Sequence, residues 1–146
     1  MKSEIRLGII GYGSRLSGLG DTLYGQGQGA VITCIADTDH EQVRERLQQH
    51  GIDPGTVRLY RDAAEMLDRE PLDGVMVGTR CSLHARMACA VLERNLSLYL
   101  EKPVATSLDD LRMLKRAHEV SRSQVVVSFP LRLTAQVRLA RQLVES

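Results

Sequence analysis

The chain has 146 residues, of which 43% are hydrophobic and 25% are charged, a composition typical of one globular domain and not of a disordered segment. Lysine and arginine (19) nearly balance aspartate and glutamate (18), and no basic block stands out, which argues against nucleic acid as the main partner. The sequence shows no signal-peptide core and no apolar stretch long enough to span a bilayer, so we expect a cytoplasmic protein without a membrane partner.

The first predicted element is a strand over the apolar run 5–10, a pattern typical of a strand buried on both faces of a parallel sheet. Gly11 then permits a tight turn, and Gly13 lets a ligand's pyrophosphate approach the backbone at the start of a helix. The free N–H groups and the dipole of that helix favour an anion. The turn therefore predicts a nucleotide-phosphate site.

Two features around this turn bear on its function. The third glycine of the G-x-G-x-x-G fingerprint, whose small size lets the helix lie close on the sheet, is replaced by Leu16. Tyr12, Ser14 and Arg15 lie where backbone and side chains could touch the pyrophosphate. For Arg15, an exposed charge without a ligand is the alternative.

The helix after the turn carries an apolar face and ends in the glycine-rich stretch 25–29. The residues of that face are Leu16, Leu19, Leu23 and Tyr24. A second strand over 31–36 then ends at Asp37, near the separation of roughly 20 residues expected of an acid that binds the adenosine ribose hydroxyls. The alternative is that Asp37 only helps to cap the next helix, beside a capping box of Thr38 and Glu41.

A carboxylate at Asp37 also predicts the choice of cofactor. It would repel the 2′-phosphate of NADP, and no arginine follows it immediately to neutralise the charge. We therefore expect NAD, with NADP the less suitable cofactor.

Strands and helices alternate through the rest of the chain. Four further strands are predicted at 57–60, 73–78, 96–100 and 124–128. Helices are predicted to start near Asp39, at Asp62 with Glu65, at Ser82, and at Ser107 with Asp110, and a last helix covers 134–146. Their predicted inward residues are Val43, Leu47, Met66, Leu67, Met87, Val91, Leu92, Leu111, Leu114, Ala117, Val137, Ala140 and Val144. Six alternations with short connections predict an α/β fold, a doubly wound parallel sheet of about six strands flanked by helices.

The cysteines are odd in number and lack the paired spacing of a metal site. We interpret Cys34, Cys81 and Cys89 as reduced thiols in or near the core of a cytosolic protein. Neither a disulfide framework nor a metal site is predicted.

Ligands of such sheets bind beyond the carboxyl ends of the strands. Three polar segments are predicted to meet there: the glycine turn, the segment 79–84 after the fourth strand, and Glu101-Lys102-Pro103 after the fifth. The sequence therefore predicts one binding edge built from several loops.

These segments resemble the amino-terminal NAD(P)-binding Rossmann domain of the Gfo/Idh/MocA oxidoreductases, which include glucose-fructose oxidoreductase and inositol dehydrogenases. The resemblance runs from Ile5 to the last helix, and Glu101-Lys102-Pro103 stands at the place of the family's Glu-Lys-Pro signature. Thr79 and His84 match the two ends of its Thr-Pro-Asn-x-x-His segment, with other residues in place of Pro-Asn. The segment 128–132 resembles the family's closing segment, with proline at 130 where Asn or His is usual.

The resemblance implies that Lys102 is the catalytic residue, lying beside the nicotinamide and the substrate hydroxyl and assisting proton transfer. An ammonium there can orient the hydroxyl and stabilise the negative charge that grows as a hydride leaves. Pro103 fixes the following backbone, and a cis Lys-Pro bond suits so constrained a site. The alternative is a solvated loop lysine before a helix.

The cofactor-binding residues expected from the turn, the ribose acid and the resemblance share one predicted edge. They are Gly11, Tyr12, Gly13, Ser14, Arg15, Asp37, Thr79, His84, Glu101 and Lys102. For His84, local packing and hydrogen bonding is an equal alternative to contact with the cofactor.

The resemblance implies an NAD-dependent oxidoreductase that transfers a hydride between nicotinamide and a sugar, cyclitol or related polyol. Residues 1–146 are then the NAD(P)-binding domain, and the family's carboxyl-terminal domain for substrate and oligomerisation is missing from this chain. We expect a homo-oligomer when full length, and weak dinucleotide binding without turnover by this chain alone. The alternatives are a non-catalytic NAD sensor and an NAD-using glycosidase of the same family.

Overall fold

Six parallel strands form one sheet in the computed structural model, which describes residues 4–25 and 29–145. The strands are β1 (Ile5–Ile10), β2 (Ala30–Ala36), β3 (Arg58–Tyr60), β4 (Gly74–Val77), β5 (Ser97–Leu100) and β6 (Val125–Val127). Their order across the sheet is β3-β2-β1-β4-β5-β6. The chain therefore winds outward in both directions from β1, and the predicted doubly wound parallel sheet is confirmed.

Helices alternate with these strands as the sequence predicts. They are α1 (Ser14–Gly25), α2 (His40–Gln49), α3 (Ala63–Arg69), α4 (His84–Glu93), α5 (Leu108–Val120) and α6 (Ala135–Glu145). Short 3₁₀ turns cover Pro54–Thr56, Cys81–Leu83 and Pro130–Leu133. None of the helices in the described part of the chain is long and apolar enough to cross a membrane.

The core has two halves because successive side chains of a strand point to opposite faces of the sheet. Ile9 belongs to the half that includes Tyr12, Leu16, Val43 and Leu47. Its neighbour Ile10 belongs to the other half, where α3 and α4 contribute residues that include Met66, Leu67, Val91 and Leu92. The inward residues predicted for α2 and α3 are therefore buried as expected.

One predicted helix start and one predicted capping box are wrong, whereas the predicted start of α2 near Asp39 is confirmed. The predicted cap at Ser82 lies inside the 3₁₀ turn Cys81–Leu83, and α4 begins only at His84, after Leu83, which makes no side-chain capping bond. For α2 the cap is not the Thr38 box: the Asp39 carboxylate accepts the N–H of Gln42 at 3.0 Å. At α4 the 3₁₀ turn occupies the residues just before the helix. At α2 the capping carboxylate comes from Asp39, one residue closer to the helix than Thr38.

The predicted caps at Asp62 and Ser107 are confirmed. The Asp62 carboxylate accepts the N–H of Glu65 at 2.8 Å, and the Ser107 hydroxyl accepts the N–H of Asp110 at 3.1 Å. These caps are local, so a sequence pattern suffices to find them.

Burial in the last two helices differs from the sequence prediction. Leu111 of α5 is 45% exposed, and in α6 Val137 is 41% exposed and Val144 is 87% exposed. Neither helix has a fully buried described residue. The predicted inward residues Leu114 and Ala117 of α5 are nevertheless partly buried and pack against the core. Among the cysteines, Cys81 is exposed, whereas Cys34 and Cys89 are buried. The calls on Leu23 and Tyr24, and on the stretch 26–28, lie outside the described residues or side chains.

Candidate cofactor site

The glycine turn joins β1 to α1 and lies against the loop that follows β4. Gly11 has φ +81°, and a Cβ on it would lie 2.8 Å from the backbone N and Cα of Thr79. A side chain is therefore excluded at Gly11 by conformation and by contact. A Cβ on Gly13, in contrast, would meet only the carbonyl oxygen of Gly78, at 3.9 Å. The space above Gly13 is open, as close approach of a pyrophosphate requires.

The missing third glycine is replaced by a different arrangement of side chain and glycine. Leu16 is fully buried, and Gly78, immediately after β4, lies under it: a Cβ on Gly78 would come within 2.5 Å of Leu16 Cδ1. In the usual fingerprint the helix carries the small residue. Here the loop after the neighbouring strand carries it, so α1 can lie close to the sheet despite its leucine.

Asp37 follows β2 and contacts the glycine turn directly. Its Oδ2 accepts the backbone N–H of Tyr12 at 2.8 Å, and its Oδ1 accepts the N–H of Asp39 at 3.0 Å. A carboxylate offers about four lone-pair positions, so two remain for ribose hydroxyls. These two bonds hold the carboxylate at the carboxyl edge of the sheet. Because Asp37 is only half-buried, part of the carboxylate stays accessible.

Tyr12 can contribute only its backbone to this edge. Its side chain is fully buried in the core. Its N–H is bonded to Asp37, and its carbonyl oxygen accepts Nη1 of Arg46 at 2.6 Å. Tyr12 therefore holds the glycine turn in place through its buried side chain and its two backbone hydrogen bonds.

Two arginines near Asp37 were not found by the sequence analysis. Arg46 of α2 reaches the turn at Tyr12, and Arg61, which directly follows β3, donates from Nη1 to the carbonyl oxygen of Thr38 at 3.1 Å. The Asp37 N–H also donates to Tyr60 at 2.9 Å, which sets the ends of β2 and β3 side by side. Once strand order is known, Arg61 at the end of β3 is expected near the end of β2, whereas the sequence alone points only to the residues immediately after Asp37.

Glu101 and Arg15 join the two sides of the edge. Glu101 is 5% exposed, and its Oε2 lies 3.6 Å from Nε of the more exposed Arg15 in the first turn of α1. Its Oε1 accepts the hydroxyl of Tyr99 at 3.4 Å. Burial raises the pKa of the Tyr99 hydroxyl, and the nearby Glu101 carboxylate raises it further. The start of α1 and the end of β5 are thus linked by one ion pair.

Lys102 and His84 occupy different depths of the same edge. Lys102 is exposed, and the Lys102–Pro103 peptide bond is cis, as the sequence analysis suggested. His84 is 2% exposed; its Nδ1 lies 2.7 Å from the carbonyl oxygen of Pro103 and its Nε2 lies 3.0 Å from that of Thr79. The geometry favours the local-bonding alternative for His84, because both ring nitrogens already face protein atoms.

The ten predicted cofactor-site residues come from four strand ends that lie side by side in the sheet. Gly11 to Arg15 follow β1, Asp37 follows β2, Thr79 and His84 follow β4, and Glu101 and Lys102 follow β5. All ten therefore lie at the carboxyl edge of the sheet, where open parallel sheets bind ligands. We call this row of strand ends, from β2 to β5, the cofactor edge.

A family model described as "Oxidoreductase family, NAD-binding Rossmann fold" (GFO_IDH_MocA) matches residues 5–129. The chain belongs to this family. The match covers both halves of the sheet, including the glycine turn, Asp37 and Lys102. The resemblance seen in the sequence is confirmed.

The chain is also similar to curated proteins whose names identify a sugar dehydrogenase, an inositol dehydrogenase and a glycosyl hydrolase. D-apiose dehydrogenase of Paraburkholderia graminis is 36% identical over 91 residues, which are 62% of this chain and 23% of that protein. Inositol 2-dehydrogenase 1 of Saccharopolyspora erythraea is 28% identical over 124 residues, covering 84% and 35%. A glycosyl hydrolase family 109 protein of Shewanella pealeana is 30% identical over 114 residues, covering 73% and 24%.

A solved structure shows the same fold. The WlbA dehydrogenase of Bordetella pertussis, in complex with NADH and UDP-GlcNAcA, matches with a TM-score of 0.83 at 23% identity over 97% of this chain and 42% of that protein. The chain thus spans less than half the length of these relatives.

Proposed function

We propose that this chain is the dinucleotide-binding part of an NAD-dependent dehydrogenase acting on a sugar, cyclitol or related polyol. The supporting observation is the Asp37 carboxylate, hydrogen-bonded to the N–H of Tyr12 in the glycine turn at 2.8 Å. That bond joins a ribose-binding acid to a phosphate-binding turn in one rigid unit. Family membership and the dehydrogenase relatives support the same assignment.

The residues present fit a dinucleotide. The open backbone above Gly13 would hold the pyrophosphate, and the start of α1 at Ser14 would supply N–H groups to it. Asp37 would accept the adenosine ribose hydroxyls with its remaining lone pairs. The charge of Asp37 would disfavour a 2′-phosphate, so NAD is the proposed cofactor.

Lys102 is the proposed proton-handling residue. Bound NAD would supply the acceptor for a hydride from the substrate carbinol. The amine of Lys102 would accept the substrate hydroxyl proton as the hydride leaves, and the ammonium so formed would stabilise the negative charge on the oxygen. The exposed side chain of Lys102 next to Glu101, which is paired with Arg15 of α1, supports this role.

Substrate contacts, turnover and oligomerisation are proposed to need the further length that the relatives possess. Positioning of the substrate accounts for much of an enzyme's rate. We therefore expect this chain alone to bind NADH but to give no turnover with myo-inositol or D-apiose. Robust turnover by the 146-residue chain would contradict this proposal.

An NAD-using glycosidase is the second candidate, because a glycosyl hydrolase family 109 protein is 30% identical to this chain. The two candidates share the cofactor edge and differ in the net reaction. A protein extending this chain to the relatives' length should accumulate NADH with polyols if it is a dehydrogenase. Release of aryl alcohol from aryl glycosides without net NADH formation would favour the glycosidase.

Cofactor choice is tested by titrating the chain with NADH and NADPH and following nicotinamide fluorescence or heat. We expect NADH to bind more tightly than NADPH, and Asp37→Asn to weaken NADH binding by about tenfold, the low end of the loss expected for one hydrogen bond to a charged group. Asp39→Ser is the matched control, since it removes a neighbouring charge and keeps a capping side chain. Tighter binding of NADPH by the unchanged protein would refute the Asp37 assignment.

The place of Lys102 is tested by lysine acylation and peptide mass spectrometry, with and without NAD. The chain has three lysines, and Lys115 on the exposed face of α5, paired with Glu119, is the internal control. NAD should slow acylation of Lys102 and leave Lys115 unchanged. This measurement also separates the enzyme from a simple sensor that uses only the adenosine half: equal protection factors near one for both lysines would favour the sensor.

A further inference from the structure

The buried ring of His84 bridges two loops of the cofactor edge. It begins α4, is 2% exposed, and lies with Nδ1 2.7 Å from the Pro103 carbonyl oxygen and Nε2 3.0 Å from the Thr79 carbonyl oxygen. Pro103 directly follows Lys102, and Thr79 follows β4. One side chain thus spans the two loops.

The Thr79 end of this bridge is itself fixed by the glycine turn. A Cβ on Gly11 would lie 2.8 Å from the Thr79 backbone, so the two segments are in close contact. The carbonyl of Thr79 and that of Pro103 are both acceptors, and each contact is attractive when the facing ring nitrogen carries hydrogen. We take Nδ1 as the donor because the contact to Pro103, at 2.7 Å, is the shorter one.

We propose that His84 is a positioning residue: it donates from Nδ1 to the Pro103 carbonyl and thereby holds the Lys102 turn at a fixed distance from the glycine turn. The bearing of this bridge on catalysis rests on the proposed function, but the bridge itself does not. Both ring nitrogens of His84 face carbonyl oxygens of the protein, so neither is directed at a cofactor. The residue acts on Lys102 through the backbone.

Three substitutions separate the two contacts. The amide nitrogen of asparagine can take the place of Nδ1, that of glutamine can take the place of Nε2, and leucine keeps volume without any donor. His84→Asn should therefore preserve the bond to Pro103, His84→Gln should preserve only the contact to Thr79, and His84→Leu should lose both. The Asn and Gln variants form the matched pair if the Leu variant fails to fold.

The first readout uses the chain without cofactor. Long-range proton–nitrogen NMR correlations of the ring should show hydrogen on Nδ1 of His84, assigned by the loss of its signals in His84→Gln. The backbone amide signals of Lys102 and Val104 should move in His84→Gln and return toward their original positions in His84→Asn. An Nδ1 without hydrogen, or equal shifts in both variants, would overturn the proposal.

The second readout uses bound NADH. Since Asp37 and the glycine turn are untouched, affinity should change little, whereas NADH-dependent protection of Lys102 from acylation should fall by about threefold to tenfold in His84→Gln, the range of one hydrogen bond. His84→Asn should restore that protection. Unchanged protection in all variants would refute a positioning role. Absence of NADH binding by the unchanged protein would refute the proposed function instead, and the first readout would still decide the bridge.

Discussion

The two halves of the cofactor edge are built in different ways. On the side of β1 and β2, the Asp37 carboxylate accepts the backbone N–H groups of Tyr12 and Asp39, so one side chain joins the glycine turn to the end of β2. On the side of β4 and β5, the side chain of His84 links the two loops through the carbonyl oxygens of Thr79 and Pro103. The pair of Arg15 with Glu101 joins this half to the first. The first half can be predicted from the sequence because a glycine turn with an acid after the next strand is a known pattern, whereas the His84 link of the second half matches no such pattern.

The largest effect on stability is expected at the contact between Leu16 of α1 and Gly78 after β4, where the two halves meet. Leu16→Ala should lower the free energy of unfolding by about 3 kcal/mol, because it removes a fully buried side chain. Gly78→Ala should also destabilise, since its Cβ would come within 2.5 Å of Leu16 Cδ1.

The double variant tests whether the two residues are coupled. Truncation of Leu16 opens space for the new Cβ at position 78. The double variant should therefore lose less unfolding free energy than the sum of the two single variants, with a coupling of about 1 kcal/mol or more. Urea unfolding of the four proteins gives this cycle. Strict additivity would show that Gly78 does not compensate for the leucine.

The junction between the two halves is tested at Gly11. Gly11→Ala forces a side chain into a positive φ and against the Thr79 backbone, so unfolding free energy should fall by about 2 kcal/mol and NADH binding should weaken. Gly18→Ala in α1 is the matched control, because nothing lies within 4 Å of its new Cβ. That control should gain about 0.5–1 kcal/mol from better helix propensity. Similar losses for both variants would contradict the contact-based account.

The smallest expected effect lies at the start of β1, away from the cofactor edge. The Arg6 guanidinium hydrogen-bonds Asp73 and holds the pKa of that carboxyl below its usual value. The pair therefore contributes stability above the unfolded pKa of the carboxyl, about 3.9, and that contribution is lost as pH falls through the lower folded pKa.

Asp73→Asn tests this sign. The unchanged protein should be slightly more stable than the variant at pH 7, and the difference in urea midpoint should disappear on acidification. Both side chains are exposed, so high salt should also shrink the difference. NADH affinity should stay the same, since the pair lies at the opposite edge from Asp37. A difference that grows on acidification would refute the assignment.

The element pattern could be predicted because it is written in neighbouring residues. The apolar runs, the caps at Asp62 and Ser107, and the two glycines after β1 each act over a few positions, and the structure has them where the sequence indicates. The predicted start at Ser82 was wrong because the 3₁₀ turn there follows the loop geometry after β4. The exposed α6 shows the same limit: periodicity predicts a helix and its apolar face, but not what that face packs against.

By itself, the sequence determined a doubly wound α/β chain with two glycines in the turn after β1, an acid after β2 and a lysine after β5, and it predicted a cofactor site from them. Only the tertiary structure decided that Gly78 makes room for Leu16, that Arg61 donates to the carbonyl oxygen of Thr38, and that His84 bridges Thr79 and Pro103. The physical reason is distance along the chain. Period and cap signals report on neighbours in sequence, whereas steric compensation and hydrogen bonds between loops exist only after the strands are placed in order.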